Sequence, residues 1–406
     1  MKELPRSPEP KDVLKEGGLH KVMVLFAVPD GWPGWGVALL GAAWAGLAGL
    51  LWWGIAGDGM VAAAATAVLA LALAGDAAIL RSLPRRGLSF GPWKSQFAAL
   101  GVPRTAAAVG LALLSWIGSP WLWLALLAGG QLIGTAAFAW GALVEPFRVG
   151  LTQLTITTDR LPPGAPPIRL LHISDLHVER LTKREARIQA LAREAAPDLI
   201  VITGDYVNLS YNRDPVTHRQ VHDYLKGFRA PYGVYAVLGS MTVDLRDQVV
   251  PIFDGLPIPL MRQAWHEVKM GDGRSLVLLG MDCTHHLPTD RARLAELHAA
   301  APNSVPQVLL FHSPEIMPEA VRHGIDLYVC GHTHGGQVRL PFVGPILTSS
   351  QLGRRYVMGH YHEGRTHLYV SRGLGLEGMS APRVRFLAPP ELTLITISQS
   401  TADQLA

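Results

Sequence analysis

Cysteine is almost missing from this chain: Cys283 and Cys330 are the only two among 406 residues. Two thiols exclude a disulfide framework, and their spacing is not that of a zinc-binding pair. Cys330 closes an apolar run, where a buried thiol is expected, and the pair suits a reducing compartment. A concentration of charge of one sign is also missing. The net charge of +4 is shared almost equally between the first third and the remainder, so no domain carries the concentrated basic face of a nucleic-acid binder, and nucleic acid is excluded as a partner. The N-terminus has mixed charges, a short apolar run from Val22 to Val28, then Pro29, with neither a small-residue cleavage pattern nor twin arginines. No cleaved signal is expected. The most informative absence is local, since no Lys or Arg occurs between Trp35 and Leu80 or between Thr105 and Phe147.

What fills those cation-free stretches is apolar. Hydrophobic residues make up 49% of the sequence, and ten of the 11 Trp precede residue 141. About 20 apolar residues cross ~30 Å of hydrocarbon as a helix. Residues 35–57 meet that length, as do 59–80, which carry Asp76 near one end; residues 105–144, interrupted by GSP at 118–120 and GGQ at 129–131, are long enough to cross twice. Trp32, Trp35, Trp52, Trp53, Trp121 and Trp123 fall near the ends of these spans, where aromatic side chains favour the interface. The lack of a polar face argues against a soluble helical bundle.

Orientation follows from cations in short loops. Lys2, Arg6, Lys11, Lys15 and Lys21 precede the first span, and Arg81, Arg85, Arg86, Lys94 and Arg104 lie between the second and third, while the two outer loops carry none. An inner-membrane protein with its N-terminus inside and about four spans over residues 1–147 would return to the cytoplasm at Arg148 and place residues 148–406 there as a second domain. A single crossing by residues 105–144 would put that domain outside.

Beyond LPPGAPP at 161–167, short apolar strands alternate with helical stretches, an α/β pattern. Strands are expected at IRLLHI, DLIVIT, GVYAVL, SLVLLGM, QVLLF, DLYVC, HLYVS and LTLITI, and helices over 182–196, 216–229, 289–300 and 314–323. Acids and histidines gather just after the strand ends, where loops of an open α/β sheet converge on one crevice. HISDLHVER supplies Asp175 and His177, VITGDYVN supplies Asp205 and Asn208, LLFHSPE supplies His312, and VCGHTHGG supplies His332 and His334. Taken singly, DLH reads as a surface acid with a casual histidine and His312 as a structural histidine; four such stretches together point to a composite site. Asp and His without thiolates favour Mn²⁺, with Fe or Zn²⁺ as alternatives, over oxygen-ligated Ca²⁺. Six ligands exceed one tetrahedral site, and two ions about 3.5–4 Å apart sharing a carboxylate suit phosphoester hydrolysis.

These motifs, GDYVN at 204–208 and GHTHGGQVRLP at 331–341 above all, resemble those of calcineurin-like metallophosphoesterases. HTHGGQVRLP, YVSRGLG at 369–375 and APPEL at 388–392 resemble bacterial membrane-associated members in particular. The resemblance spans about residues 148–398 and implies an α-β-β-α sandwich behind an all-α membrane region. It also implies that Asp175, His177, Asp205 and His334 bind one metal, that Asp205, His312 and His332 help bind a second, and that Asp205 bridges. Asn208 is a candidate substrate-binding residue, and no residue is assigned as catalytic.

One stretch departs from the family. Where its members carry Gly-Asn-His, this chain has Gly239, Ser240 and Met241. A hydroxyl is a poorer donor than the amide oxygen that ligates the second metal, and a thioether neither transfers protons nor prefers hard metals, so the second site should be weak. GLGLEG at 373–378 matches a dinucleotide-binding pattern, but MSAPRVRFLAPP follows it instead of a helix, which leaves a loop. Arg354, Arg355 and Arg372 are candidates for phosphate contacts or for solvated surface positions, and His285 and His286, which follow a strand, are candidates for the crevice, with an exposed loop as the preferred expectation. The expectation is a metal-dependent hydrolase of a phosphodiester or pyrophosphate, acting on a lipid-linked substrate at the bilayer. The alternative, motivated by Ser240 and Met241, is a non-catalytic membrane-anchored metal-binding scaffold or sensor.

Overall fold

Long runs of Ala, Leu, Gly and Val with no cation to interrupt them become helices. The computed structural model describes residues 1–6 and 8–400. It places Gly34–Ala56, Gly59–Arg86, Trp93–Leu114 and Pro120–Phe147 as four helices long and apolar enough to cross a membrane. Asp58 caps the second of these through Met60 N and Val61 N, and the αL residue Gly57 ends the first. Two compact units divide the chain: Gly18–Val144 with Glu377–Val384, and Met1–Gly17 with Glu145–Leu376 and the chain from Arg385 onward.

The third helix begins 12 residues before the Thr105 boundary expected from the sequence, and this corrects the reading of Arg104 as a loop cation. Arg104 is buried inside the helix. Its guanidinium reaches Asp76 at 2.5 and 2.7 Å, Gln131 Oε1 at 2.8 Å and Thr135 Oγ1 at 3.0 Å. Gln131 donates back to Arg104 O at 3.0 Å, so a bidentate ion pair and its amide partner form one closed network among three helices. A cation inside an apolar helix is tolerated only when paired in this way.

The other unit carries β1 (Lys2–Glu3), β2 (Gly150–Thr158), β3 (Ile168–Ile173), β4 (Leu199–Ile202), β5 (Val234–Ala236), β6 (Ala264–Lys269), β7 (Ser275–Gly280), β8 (Gln307–Leu310), β9 (Leu327–Cys330), β10 (Arg339–Leu340), β11 (Gly344–Pro345), β12 (Gly359–Glu363), β13 (Thr366–Val370) and β14 (Glu391–Gln399). Two sheets form, in the orders β2-β14-β3-β4-β5 and β1-β6-β7-β8-β9-β13-β12, with β10 and β11 as a separate pair. Strands β3, β4 and β5 run parallel, as do β7, β8, β9 and β13.

Alternation within each strand explains the layers. Leu170, Leu199 and Val201 of one sheet and Leu276, Leu278, Val308, Leu310, Leu327 and Val329 of the other share one core between the sheets. The intervening residues point outward. Leu171, Ile173, Ile200 and Ile202 meet Ile188, Leu191 and Val221 from the helices Lys183–Glu194 and Pro215–Leu225. Val277, Leu279, Leu309 and Tyr328 meet Leu294, Leu297 and Ala320 from Leu287–Ala300 and Met317–Arg322. This is the expected α-β-β-α arrangement, and it brings the carboxyl ends of the parallel strands together.

Candidate metal centre

Each ligand-type side chain sits in the first residues after a parallel strand. Asp175 and His177 follow β3, Asp205 follows β4, His312 follows β8, and His332 and His334 follow β9. The sequence separates these residues by as many as 159 positions, yet they form two clusters, Asp175 with His177 and His334, and Asp205 with His312 and His332. Within each cluster one ligand-type atom per residue lies within 4.8 Å of the others. All six side chains are buried.

The backbone is bent to achieve this. Asp175, His177, Asp205, His332 and His334 have φ between 40° and 70°, the left-handed region that side chains other than Gly, Asn and Asp rarely adopt. Strain of this kind, on the order of 1–3 kcal/mol per residue, persists where a site over-determines it. The loops also cross at very short range. A Cβ at Gly239 would lie 2.1 Å from Asp205 Oδ1, and one at Gly331 would lie 1.9 Å from Asp175 Oδ2, so only glycine permits the approach.

Backbone donors fix the acids. Ser240 N donates to Asp205 Oδ1 at 2.8 Å and His332 N to Asp175 Oδ1 at 2.9 Å. Backbone carbonyls fix the imidazoles: His312 Nδ1 lies 2.7 Å from Thr203 O and His332 Nε2 3.1 Å from Ser349 O, which turns the opposite ring nitrogens inward. Behind His334, Arg385 Nη2 lies 3.5 Å from Nδ1, and the rest of that buried guanidinium donates to the carbonyls of Gly375, Arg372 and Ala388.

The inward atoms are poorly satisfied by one another. Asp175 Oδ2 has no hydrogen-bond partner, and His312 Nε2 faces only the carboxylate oxygen Asp205 Oδ2, at 3.1 Å. His177 Nε2 and His334 Nε2 face each other at 3.1 Å, where at most one can carry a proton. Burial, reinforced by the neighbouring His177, pushes His334 well below the usual histidine range, and burial with the charges of His285 and His312 takes His332 down to about 3. Both rings therefore present lone pairs. Asp205 is held low against its burial by His312 and His177, and that carboxylate with Asp175 raises His312 to about 10 despite burial. Orphaned oxygen and nitrogen donors in two adjoining pockets fit divalent cations.

A family model described as calcineurin-like phosphoesterase matches residues 168–336. An uncharacterized metallophosphoesterase, YkuE, of Bacillus subtilis is 30% identical over 282 residues, which are 68% of this chain and 94% of that protein. The chain belongs to the calcineurin-like phosphoesterase family. Phosphodiesterase YaeI of Escherichia coli is 28% identical over 58% of this chain and 83% of its own length. The UDP-2,3-diacylglucosamine pyrophosphatase LpxG of Chlamydia muridarum is 23% identical over 63% of this chain and 91% of its own.

In this family member, Gly239 and Ser240 lie against the ligand-type side chains. Ser240 Oγ lies 3.4 Å from His332 Nδ1, and Ser240 is buried, whereas Met241 is only half-buried. Asn208 is buried, but its amide donates to Leu376 O at 2.9 Å and accepts from Ser210 N at 2.9 Å. Arg354 donates to the carbonyls of Val343 and Pro345, Arg355 pairs with Glu363 on the surface, and Arg372 pairs with Glu391. GLGLEG follows β13 as a loop, as its flanking sequence requires.

The expectation of an exposed loop for His285 is overturned. His285 is 1% exposed and sits with Glu315 and His332 in a third group of ligand-type atoms. The sequence misleads because His285 and His286 alternate in direction, and only His286 remains half-buried near the surface. Sequence reasoning also passed over Asp244, whose carboxylate accepts from Gly239 N at 2.7 Å, Asp205 N at 2.8 Å and Tyr206 N at 3.0 Å, joining two ligand loops. Burial and the charge of Asp205 raise Asp244 to about 6. Its position five residues after Gly239 was the available signal.

Proposed function

We propose that this phosphoesterase hydrolyses a phosphodiester or pyrophosphate bond in a membrane-lipid-linked substrate at a two-metal site. The observation that carries the reading is the pair of adjoining clusters, one built on Asp175, His177 and His334 and the other on Asp205, His312 and His332. Asp205 Oδ2 lies 3.1 Å from His312 Nε2 and 3.5 Å from His177 Nε2, so one carboxylate faces both clusters and is placed to bridge. Divalent ions, Mn²⁺ in preference to Fe or Zn²⁺, would neutralise phosphoryl charge and supply an ionised water near neutral pH.

The chain's own groups set the rest. Neutral His332 and His334 offer lone pairs, and backbone N–H groups hold Asp175 and Asp205 in place. Asp175 and Asp205 would hold one ion with two carboxylates, and Asp205, His312 and His332 would hold the other with the shared one alone, so the second would be the more weakly held. Met241 leaves the position of the family's histidine without a proton-transferring group, and losing such a group costs about 10²–10⁴ in rate. Asn208, tied to Leu376 O, would act on substrate through the loop it holds.

Lipid linkage is supported by four apolar helices in the same chain and by a relative named for a diacylated sugar nucleotide. Residues 1–147 would form the multi-pass domain in the bacterial inner membrane, and residues 148–406 the catalytic domain on the cytoplasmic side. The test is full-length protein stripped of metal, titrated with Mn²⁺ and assayed on a generic phosphodiester. Metal-dependent turnover is expected. No turnover with both ions bound would favour the scaffold or sensor reading that Ser240 and Met241 motivate.

A further inference from the structure

We propose that His285 is a ligand of the second metal, supplying through Nε2 the donor that the family's asparagine provides and that Ser240 does not. The inference rests on the two-metal reading above. Three imidazoles pack side by side, the ring centroids of His285 and His332 4.5 Å apart, those of His312 and His332 5.2 Å, and those of His285 and His312 6.5 Å, and His332 belongs both to the group with Asp205 and His312 and to the group with His285 and Glu315. Ser240 Oγ lies 3.0 Å from His285 Nε2 and 3.4 Å from His332 Nδ1, so the small hydroxyl stands between the two nitrogens. An asparagine at position 240 would project its amide into the same space. The shorter side chain leaves room for a ring that enters from the loop after β7.

The two nitrogens of His285 have distinct surroundings. Nδ1 lies 3.0 Å from Glu315 Oε2, and Nε2 lies 3.0 Å from Ser240 Oγ and 3.5 Å from Cys283 Sγ. A carboxylate behind one nitrogen fixes the tautomer that presents a lone pair at the other, the usual support of a metal-bound imidazole. Glu315 is itself fixed by Ser313 Oγ at 3.1 Å and Gln351 N at 3.0 Å, and Gln351 Nε2 donates to His285 O at 2.8 Å. The backbone of His285 has φ 58°, the same left-handed conformation adopted by Asp175, His177, Asp205, His332 and His334. Glu315 is a positioning residue, since its oxygen is on the far side of the ring.

The experiment counts metal, not turnover. Full-length protein is stripped with chelator, equilibrated with Mn²⁺, and bound metal per chain is measured by mass spectrometry alongside the electron paramagnetic signal of coupled ions. The intact protein should hold two ions, and His285→Ala should hold one and lose the coupled signal. His285→Phe, which keeps a ring in the space but offers no ligand atom, gives the same reading if the alanine variant fails to fold. Adding Ser240→Asn to either variant should restore the second ion, and Glu315→Gln should keep it while weakening its affinity about 10- to 100-fold. Two ions bound with unchanged affinity in His285→Ala or His285→Phe would overturn the assignment and leave the two-metal reading standing. A single ion in the intact protein would overturn the two-metal reading, and the role of His285 with it.

Discussion

His177 Nε2 and His334 Nε2 approach to 3.1 Å across loops that lie 157 residues apart in sequence. Burial keeps His334 neutral, so one ring can donate to the other but only one of the facing nitrogens can hold the proton, and a cation between them would replace that proton and use both lone pairs. Asp175→Ala should therefore lower metal content and thermal stability together. An ion held at about 100 times its dissociation constant stabilises by about 2.7 kcal/mol, which the variant should lose. Thermal melts with and without chelator check this, and identical melts with full metal content would remove the site.

Asp205 faces both clusters, so its loss should exceed that of a residue facing one. Asp205→Ala should reduce bound metal at both positions, and His312→Ala mainly at the second. Equal losses in the two variants, counted as metal per chain, would argue against a bridging carboxylate.

Proton release is a separate measure of the same pair. His312 is raised from 6.5 to about 10 by Asp205 and Asp175 against its burial. In the metal-free protein its pairing stabilises fully below pH 6.5, and that contribution is lost as pH rises through about 10. Metal binding needs the unprotonated ring, so it should release a proton near pH 7 and tighten as pH rises. Calorimetry in buffers of different ionisation enthalpy reads the proton directly, and no buffer dependence would contradict the pairing.

Met241→His should raise the chemical step, by about 10²-fold or more, by returning a proton donor to the loop after β5. Ser240→Asn should act on affinity for the second ion. Activity against free Mn²⁺ separates the two effects, and a double variant that stays inactive with both ions bound would remove this loop from the chemistry.

Within the helical unit, Arg104 and Asp76 form a buried bidentate pair at 2.5 and 2.7 Å. Arg104→Leu alone should destabilise by about 3–5 kcal/mol, since it strands a buried carboxylate, and Asp76→Leu in addition should recover most of the loss. Unfolding in detergent tests the cycle. A Cys placed at exposed Pro163, with Cys283 and Cys330 buried, tests orientation, and labelling from outside intact cells would refute a cytoplasmic domain.

Much of this protein is written in its sequence. The strand Ile168–Ile173 coincides with IRLLHI, and Leu199–Ile202, Gln307–Leu310 and Leu327–Cys330 fall inside their expected runs, because strands buried on both faces must be apolar throughout. Strands β2, β6 and β12 were harder to see, since their burial is partial and their residues mixed. Asp175, His177, Asp205, His312, His332 and His334 were legible through motif spacing. Tertiary structure alone decided the remainder. Whether His285 faces solvent or Ser240 depends on a left-handed turn and on Glu315 reaching it from another loop. Whether Arg104 is a loop cation or a buried partner of Asp76 depends on where a helix starts and on which helix packs beside it. Local sequence fixes periodicity and ligand type, but the burial of a charged or metal-binding group is set by partners distant in the chain.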